Sequence, residues 1–205
     1  MLLRILVTAL ASYFLGNHNG AICVSQMMHD DVRSHGSGNA GLTNFIRNYG
    51  AGRSVLVILI DVLKAVLACT LGGLMVPEYA IAGRTLAGVC VMLGHDFPAL
   101  QGFRGGKGIL SGWFIALMID WRVFVLIAIV FFSAYLLTQY VSLGSVLSAA
   151  AFGIGFAVLY HDNIPVLIGT VFMSLLTLFQ HRENIRRLLK GEERKTNLLG
   201  KGKRK

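Results

Sequence analysis

The sequence predicts an all-α integral membrane protein, a bundle of seven transmembrane helices, with five crossings as the alternative. Three observations carry that expectation. The 205 residues are 55% hydrophobic and only 14% charged, whereas a soluble domain carries about 25% charged residues. Mean hydropathy is +0.64. The apolar residues also fall into long runs, several near the roughly 20 residues that a helix needs to cross a bilayer. One domain is expected at this length, residues 1–193, followed by a basic tail over 194–205 that is expected to be disordered.

The runs lie at about 3–27, 54–76, 79–95, 109–119, 122–141, 143–160 and 163–180. The first begins with Arg4 and an apolar stretch, as a signal peptide does, but it continues without a small-x-small cleavage pattern and reads as an uncleaved span. It must carry Asn17, His18 and Asn19 inside it, so it is expected to bend or to line a polar cavity. The second holds Asp61 and Lys64 three residues apart. Charged groups at that depth are costly and are expected to pair. Pro98 stops the helix of the third. The fourth, ended by Asp120-Trp121-Arg122, is short for a full bilayer and crosses only where the membrane thins around it. The remaining three are long enough to span. The cysteines (Cys23, Cys69, Cys90) sit apart in apolar runs with no metal or redox spacing, so no metal is expected.

Charge sets the orientation. Net charge is +9, yet His181–Lys205 alone carries ten Lys/Arg against three Glu, a net of +7. Residues 28–53 add Arg33, Arg47 and Arg53, and 96–108 add Arg104 and Lys107. The connections near 77–78, 120–122 and 161–162 carry only Arg122. Cytoplasmic loops are the basic ones, so both basic loops and the tail face the cytoplasm, with the N-terminus outside and the C-terminus inside. The tail suits anionic lipid. No recognition element for nucleic acid accompanies it.

Three polar islands fall on that cytoplasmic face. The first, His35-Gly-Ser-Gly-Asn-Ala-Gly-Leu-Thr-Asn44 with Arg47, alternates glycines with small hydrogen-bonding side chains, a pattern that makes a nest of backbone donors leading into a short helix. As a bland alternative it is a surface turn. The second, Arg104-Gly-Gly-Lys-Gly108 with Ser111 beyond, combines exposed N–H groups and two cations, which suits a phosphate. It is not a nucleotide P-loop, because that spacing puts a glycine where Gln101 stands. Two cations alone would read as snorkelling side chains, but snorkelling does not need three glycines. The third, His181-Arg-Glu-Asn-Ile-Arg-Arg-Leu-Leu189, puts His181 and Asn184 on one helical face and alone would read as an interfacial helix. Tyr140, Ser142, Gly144 and Ser145 bring further hydroxyls to the same side, or form only a turn.

Taken together, Gly36-Ser-Gly-Asn-x-Gly-x-Thr-Asn44 with Arg47, Gly94-His-x-Phe-Pro98 with Gly105-Gly-Lys-Gly108, and His181-Arg-Glu-Asn-Ile185 with Arg187-Leu-Leu189 resemble the three signatures of the bacterial acyl-phosphate:glycerol-3-phosphate acyltransferases, the PlsY family. The likeness runs from Tyr13 to Glu193. It implies a seven-helix enzyme of the bacterial plasma membrane, its site facing the cytoplasm, that moves a fatty acyl group from acyl phosphate to the 1-hydroxyl of glycerol 3-phosphate. The products are lysophosphatidic acid and phosphate, in the first acylation of phospholipid synthesis, and no cofactor is implied. Ser37, Gly38, Asn39, Gly41, Thr43, Gly105, Gly106 and Lys107 would hold the acyl phosphate. Arg47, Lys107, Ser142 or Ser145, His181 and Asn184 would hold glycerol 3-phosphate. Lys107, His181 and Arg47 are the catalytic candidates, with Lys107 between the two phosphates. His181 suits a general base by residue type, but the resemblance favours a phosphate oxygen of the donor taking the proton. A monomer working beside membrane lipid, coupled to an enzyme that produces acyl phosphate, is expected.

The chain departs from the pattern at Gly16-Asn-His-Asn-Gly20, where the family often has Gly-Ser-Ile-Pro-Phe-Gly, and also at Ala65 and Gln139. None of these falls among the candidate site residues. A thioester-dependent acyltransferase would be expected to show His-x-x-x-x-Asp, and none of the six histidines has Asp five positions on. A phosphate transporter of this size would be expected to show repeated halves, and no internal repeat is present.

Overall fold

The computed structural model describes residues 1–196, and among them every regular element is helical. In chain order these are α1 (Leu2–Asn17), α2 (Gly20–Met27), α3 (Leu42–Tyr49), α4 (Ala51–Met75), α5 (Ala80–Asp96), α6 (Ile109–Ile119), α7 (Trp121–Thr138), α8 (Val141–Leu159), α9 (Ile164–Gln180) and α10 (Arg182–Leu189). Short 3-10 turns connect several of them.

The first apolar run is broken, as its asparagines predict. Asn17 Nδ2 donates to the Tyr13 carbonyl at 2.8 Å, and its Oδ1 accepts from Leu100 N–H at 3.0 Å. Asn19 caps α2 by accepting from Ile22 N–H at 3.2 Å, and its Nδ2 donates to the Ala40 carbonyl at 3.0 Å. Asn19 thereby takes up one N–H that the break leaves open, at Ile22, as an N-cap does. The two asparagine side chains also tie α1 and α2 to the two glycine loops.

α5 is the hub, packing on α1, α4, α6 and α9. Small residues let it serve so many neighbours. A Cβ on Gly94 would overlap the Tyr13 carbonyl and come 2.9 Å from Gly16 Cα, and a Cβ on Gly83 would overlap the Gly72 carbonyl. Backbones at that separation gain dispersion contacts, which drive helix association where no hydrophobic force acts between apolar helices. Ala65, Ala87, Val91, Met92, Ile115, Ile127, Phe152, Phe156 and Met173 fill the core between α4 and α9. A smaller cluster of Ile22, Val32, Phe45 and Val57 seats α2 and α3 on α4.

By length and composition α4, α7 and α8 can each cross a membrane, and α9 with α10 makes a fourth if that pair, bent by 55°, is one span. α6 has 11 residues, about 16 Å at 1.5 Å per residue, well short of a roughly 30 Å hydrocarbon core. Large apolar side chains such as Leu59, Leu63, Leu67, Ile129 and Leu175 face outward, as lipid contact requires.

α10 closes with the hydrogen bonds of a Schellman motif. Gly191, at φ +70°, donates to Leu188, and Glu192 N–H donates to the Arg187 carbonyl at 2.9 Å. The chain thereby turns back over the bundle. Of the expected tail, Thr196 is buried, its N–H donating to the Gln139 carbonyl at 3.0 Å and its carbonyl accepting from Tyr135 Oη at 3.0 Å. Residues 197–205 lie outside the described residues.

Candidate active site

The first island is a loop wound around one side chain. Asn44, buried on the first turn of α3, donates from Nδ2 to the carbonyls of Val32, His35 and Asn39 at 3.0–3.1 Å. Its Oδ1 accepts from Ser37 N–H and Asn48 Nδ2, both at 3.1 Å. Gly36 and Gly38 take positive φ, +62° and +69°, which only glycine adopts without strain, and a Cβ on Gly36 would overlap Asn44 Oδ1. Asn44 is thus a structural hub. Ser37 and Gly38 stay exposed, and Asn39, Gly41 and Thr43 are part-buried beside them. Ahead of this loop Asp30 accepts from Tyr49 Oη and pairs with His35 at 2.9 Å. The His35 bond holds the Asp30 carboxyl below its usual range.

The second island is fastened at both ends. Tyr13 Oη donates to the Phe97 carbonyl at 2.8 Å and accepts from Ala99 N–H at 3.2 Å. Arg33, oriented by a bidentate pair with Asp31, donates to the carbonyls of Gln101 and Arg104 at 2.7 and 3.2 Å. Sequence reasoning used Arg33 only as a topological charge, yet it clamps one loop to the other. Arg104 itself contributes its carbonyl, and its side chain is exposed. The N–H groups of Gly105 and Gly106 fold back onto the carbonyls of Asp96 and His95, both at 3.1 Å. Ala40 N–H donates to the Gly105 carbonyl at 3.4 Å, and this is where the first two islands meet.

The third island joins through Lys107. Its ammonium donates to Asn184 Oδ1, from the loop after α5 to the helix after α9. Asn184 Nδ2 donates in turn to Glu193 Oε1 at 3.3 Å, and Arg187 Nε donates to Glu193 Oε2 at 2.8 Å. Arg47 reaches the same returning segment, bonding the Thr196 hydroxyl and, at 3.3 Å, the Arg194 carbonyl. Burial and the neighbouring Arg187 guanidinium push the Lys107 ammonium down to about 8. His181 is buried, with Nδ1 held 2.8 Å from the Thr177 carbonyl. A carbonyl only accepts, so Nδ1 carries the hydrogen, and in the neutral ring Nε2 is left as an acceptor. Ser145 Oγ donates to the Val141 carbonyl of its own helix at 3.0 Å, whereas Ser142 Oγ is buried with no hydrogen-bond partner among the described residues.

The structure therefore brings Lys107, Asn184 and, by charge, His181 and Arg47 into one cluster. It sets the first island beside them through Ala40 and Gly105. Sequence reasoning missed Glu193 and Thr196. Glu193 is an acid in a strongly basic stretch, six residues after Arg187. That offset belongs to a turn, not to a helical face, so helical spacing could not flag it.

A helical bundle that gathers two glycine loops and several cations at one end, among helices exposing apolar faces, defines a class: a membrane protein with a polar, cation-rich cluster at one end. Comparison with known proteins narrows it. The family model described as "Glycerol-3-phosphate acyltransferase" matches residues 6–191. Curated glycerol-3-phosphate acyltransferases from Finegoldia magna and Clostridioides difficile are 34% and 36% identical to this chain. The first covers 97% of the chain and 98% of the relative, the second 93% and 94%. Crystal structures of PlsY, an integral membrane glycerol 3-phosphate acyltransferase, superpose in the glycerol 3-phosphate form with a TM-score of 0.86 at 29% identity and in the lysophosphatidic acid form with 0.82 at 30%. Each comparison covers 95% of this chain and 96% of that one. The chain belongs to the glycerol-3-phosphate acyltransferase family and is a membrane protein.

Proposed function

We propose that the protein transfers a fatty acyl group from acyl phosphate to the 1-hydroxyl of glycerol 3-phosphate, releasing lysophosphatidic acid and inorganic phosphate. The observation that carries this reading is the Lys107–Asn184 bond, which closes the glycine loop against α10, with His181 within electrostatic reach of Lys107 and Arg47 within reach of Arg187 and Glu193. Two phosphates bound close together need that much compensation. Ser37, Gly38, Asn39, Gly41 and Thr43 hold the acyl phosphate, while Gly105 and Gly106, expected from sequence to offer free N–H donors, spend those groups on the Asp96 and His95 carbonyls and shape the loop that presents Lys107. Arg47, His181, Asn184 and a serine of α8 hold glycerol 3-phosphate. The free hydroxyl of Ser142 supports it over Ser145. Lys107 serves both and stabilises the oxyanion as the hydroxyl attacks the acyl carbonyl. The C–O bond to phosphate then breaks, and the hydroxyl proton passes to a phosphate oxygen of the donor.

The same reading has seven crossings, the N-terminus outside and the site facing the cytoplasm of a bacterial inner membrane, where an enzyme making acyl phosphate supplies the donor. The basic loops and the C-terminal segment meet at one end, which supports that orientation. Purified protein given palmitoyl phosphate and labelled glycerol 3-phosphate should form labelled lysophosphatidic acid. No product, beside an active control, rules the reading out. Acylation from the thioester alone would replace the donor. His181→Gln should raise KM for glycerol 3-phosphate with kcat kept. A fall in kcat of roughly 10²–10⁴-fold, the usual size for a lost acid–base group, would make His181 the base instead.

A further inference from the structure

Asp61 and Lys64 on α4 and His95 on α5 form a charged cluster that the proposed chemistry does not use. All three are buried, with 2–4% of their surface exposed. Lys64 Nζ lies 2.7 Å from Asp61 Oδ1 and 2.6 Å from His95 Nδ1, and it donates to the His18 carbonyl at 3.3 Å. Asp61 Oδ1 also accepts from Gly20 N–H at 3.0 Å. A cluster of this kind is expensive to bury, and a single ion pair would not need the histidine. The third member has a geometric purpose. His95 Nδ1 lies 2.6 Å from the Lys64 ammonium and 3.5 Å from Asp61 Oδ1, so the nearer group, a donor, makes Nδ1 the acceptor and puts the neutral ring's hydrogen on Nε2. The ring is thereby fixed in both tautomer and rotation.

The edge so fixed lies directly under the glycine loop. A Cβ on Gly106 would overlap His95 Nε2 and come 2.9 Å from its Cδ2 and from the Ala40 carbonyl. Gly106 N–H is held by the carbonyl of the same residue, His95, at 3.1 Å. Asn19 Nδ2 sits 3.5 Å from each ring nitrogen while donating to Ala40. The imidazole is thus a floor on which both glycine loops rest, and α4 holds that floor level.

We propose that His95 is a positioning residue for the anion loop, held by Lys64 and Asp61 so that Gly105, Gly106 and Lys107 keep the geometry that receives a phosphate. This rests on the reading of that loop as a phosphate site. It predicts an energetic coupling between a ring inside the bundle and a methyl group on the loop. In wild-type protein, Gly106→Ala drives a methyl into the imidazole and displaces the loop. In a His95→Ala background the larger overlap is gone, and only the Ala40 carbonyl, 2.9 Å from the added carbon, still crowds the methyl.

The test is a double-mutant cycle on kcat/KM for palmitoyl phosphate and glycerol 3-phosphate, with KM and kcat resolved and Tm measured in detergent for every variant. His95→Ala should raise KM for the phosphate substrates more than it lowers kcat. Gly106→Ala should cost at least about fivefold less in that background than in the wild type, a coupling of ordinary size for residues in contact. Equal costs in the two backgrounds would overturn the proposal, as would a loss that follows Tm alone with KM unchanged. Should His95→Ala not accumulate, His95→Asn carries the same cycle, because it keeps a polar atom for Lys64 and removes the Nε2 edge. Wild-type activity separates the two readings. An active wild type with additive variants removes the positioning role only, and an inactive wild type removes the proposed function itself.

Discussion

Lys107 and Asn184 lie 77 positions apart and are joined by one hydrogen bond, from the loop after α5 to the helix after α9. That bond closes the ring of the candidate site. Lys107→Ala removes both the closure and the cation proposed to sit between two phosphates. Loss of one oxyanion donor costs about 10²–10³-fold in kcat, and Lys107→Ala should lose at least that, measured as lysophosphatidic acid formed at saturating substrate. Asn184→Ala should act mainly on KM for glycerol 3-phosphate. Full activity in Lys107→Ala would place the site elsewhere.

The same lysine sets a pH dependence. Burial and Arg187 bring it down to about 8, below the ordinary value near 10.4. Below about pH 8 it is charged and ready for phosphate, and above it the charge is lost before substrate arrives. KM for glycerol 3-phosphate should therefore rise on going from pH 7 to pH 9.5, and Lys107→Arg should flatten that rise. Stability moves the other way. The charged form is disfavoured in the fold, so its cost is fully present below about pH 8 and is relieved as pH climbs toward the unfolded value. A KM that stays level across this range in the wild type would remove Lys107 from phosphate binding.

The Asp61–Lys64 pair should show the asymmetry of buried ions. Either Asp61→Asn or Lys64→Met leaves the partner charge buried and uncompensated, at a cost of about 3–5 kcal/mol. The double replacement, neutral at both positions, should cost less than either single change. Thermal unfolding in detergent reads the order directly.

The contact of α1 with α5 should tolerate no added carbon. Gly94→Ala puts a methyl on the Tyr13 carbonyl, and overpacking of this kind costs about 1–3 kcal/mol. The displaced Tyr13 also fixes the start of the second loop. Gly94→Ala should thus lower Tm and raise KM together. Gly52→Ala, with open space around the added carbon, should change neither.

Much of this was legible in the sequence because the physics is local. The break in the first run follows from three polar residues in an apolar stretch, and α6 came out as short as residues 109–119 foretold. The three islands could be found because glycines and cations at a membrane edge need a reason. Other features were out of reach of spacing. Arg33 acts on a loop 68 positions away, and nothing near it in the chain marks that use. Asn44 stood in the first island beside Thr43 and Arg47 with no role of its own, and three carbonyls from the loop claim its amide. Thr196 followed the last amphipathic turn in a run that looked like solvated tail, and its burial depends on Gln139 and Tyr135 from α7 and its cap.

The return of the chain after Gly191 has a kinetic consequence. It brings Arg194 back to Arg47 and Glu193 back to Arg187, so that Arg47, Arg187 and Arg194 gather beside Lys107 with Glu193 among them. A cluster with a net positive charge at an opening draws in anions, raising their encounter rate by about 10-fold or more at low ionic strength. The Debye length is about 8 Å in physiological salt, so the pull operates over the last few molecular diameters of approach. Capture of a soluble dianion should then slow as salt is added, whereas a lipid-borne donor arriving sideways through the bilayer should feel the salt far less.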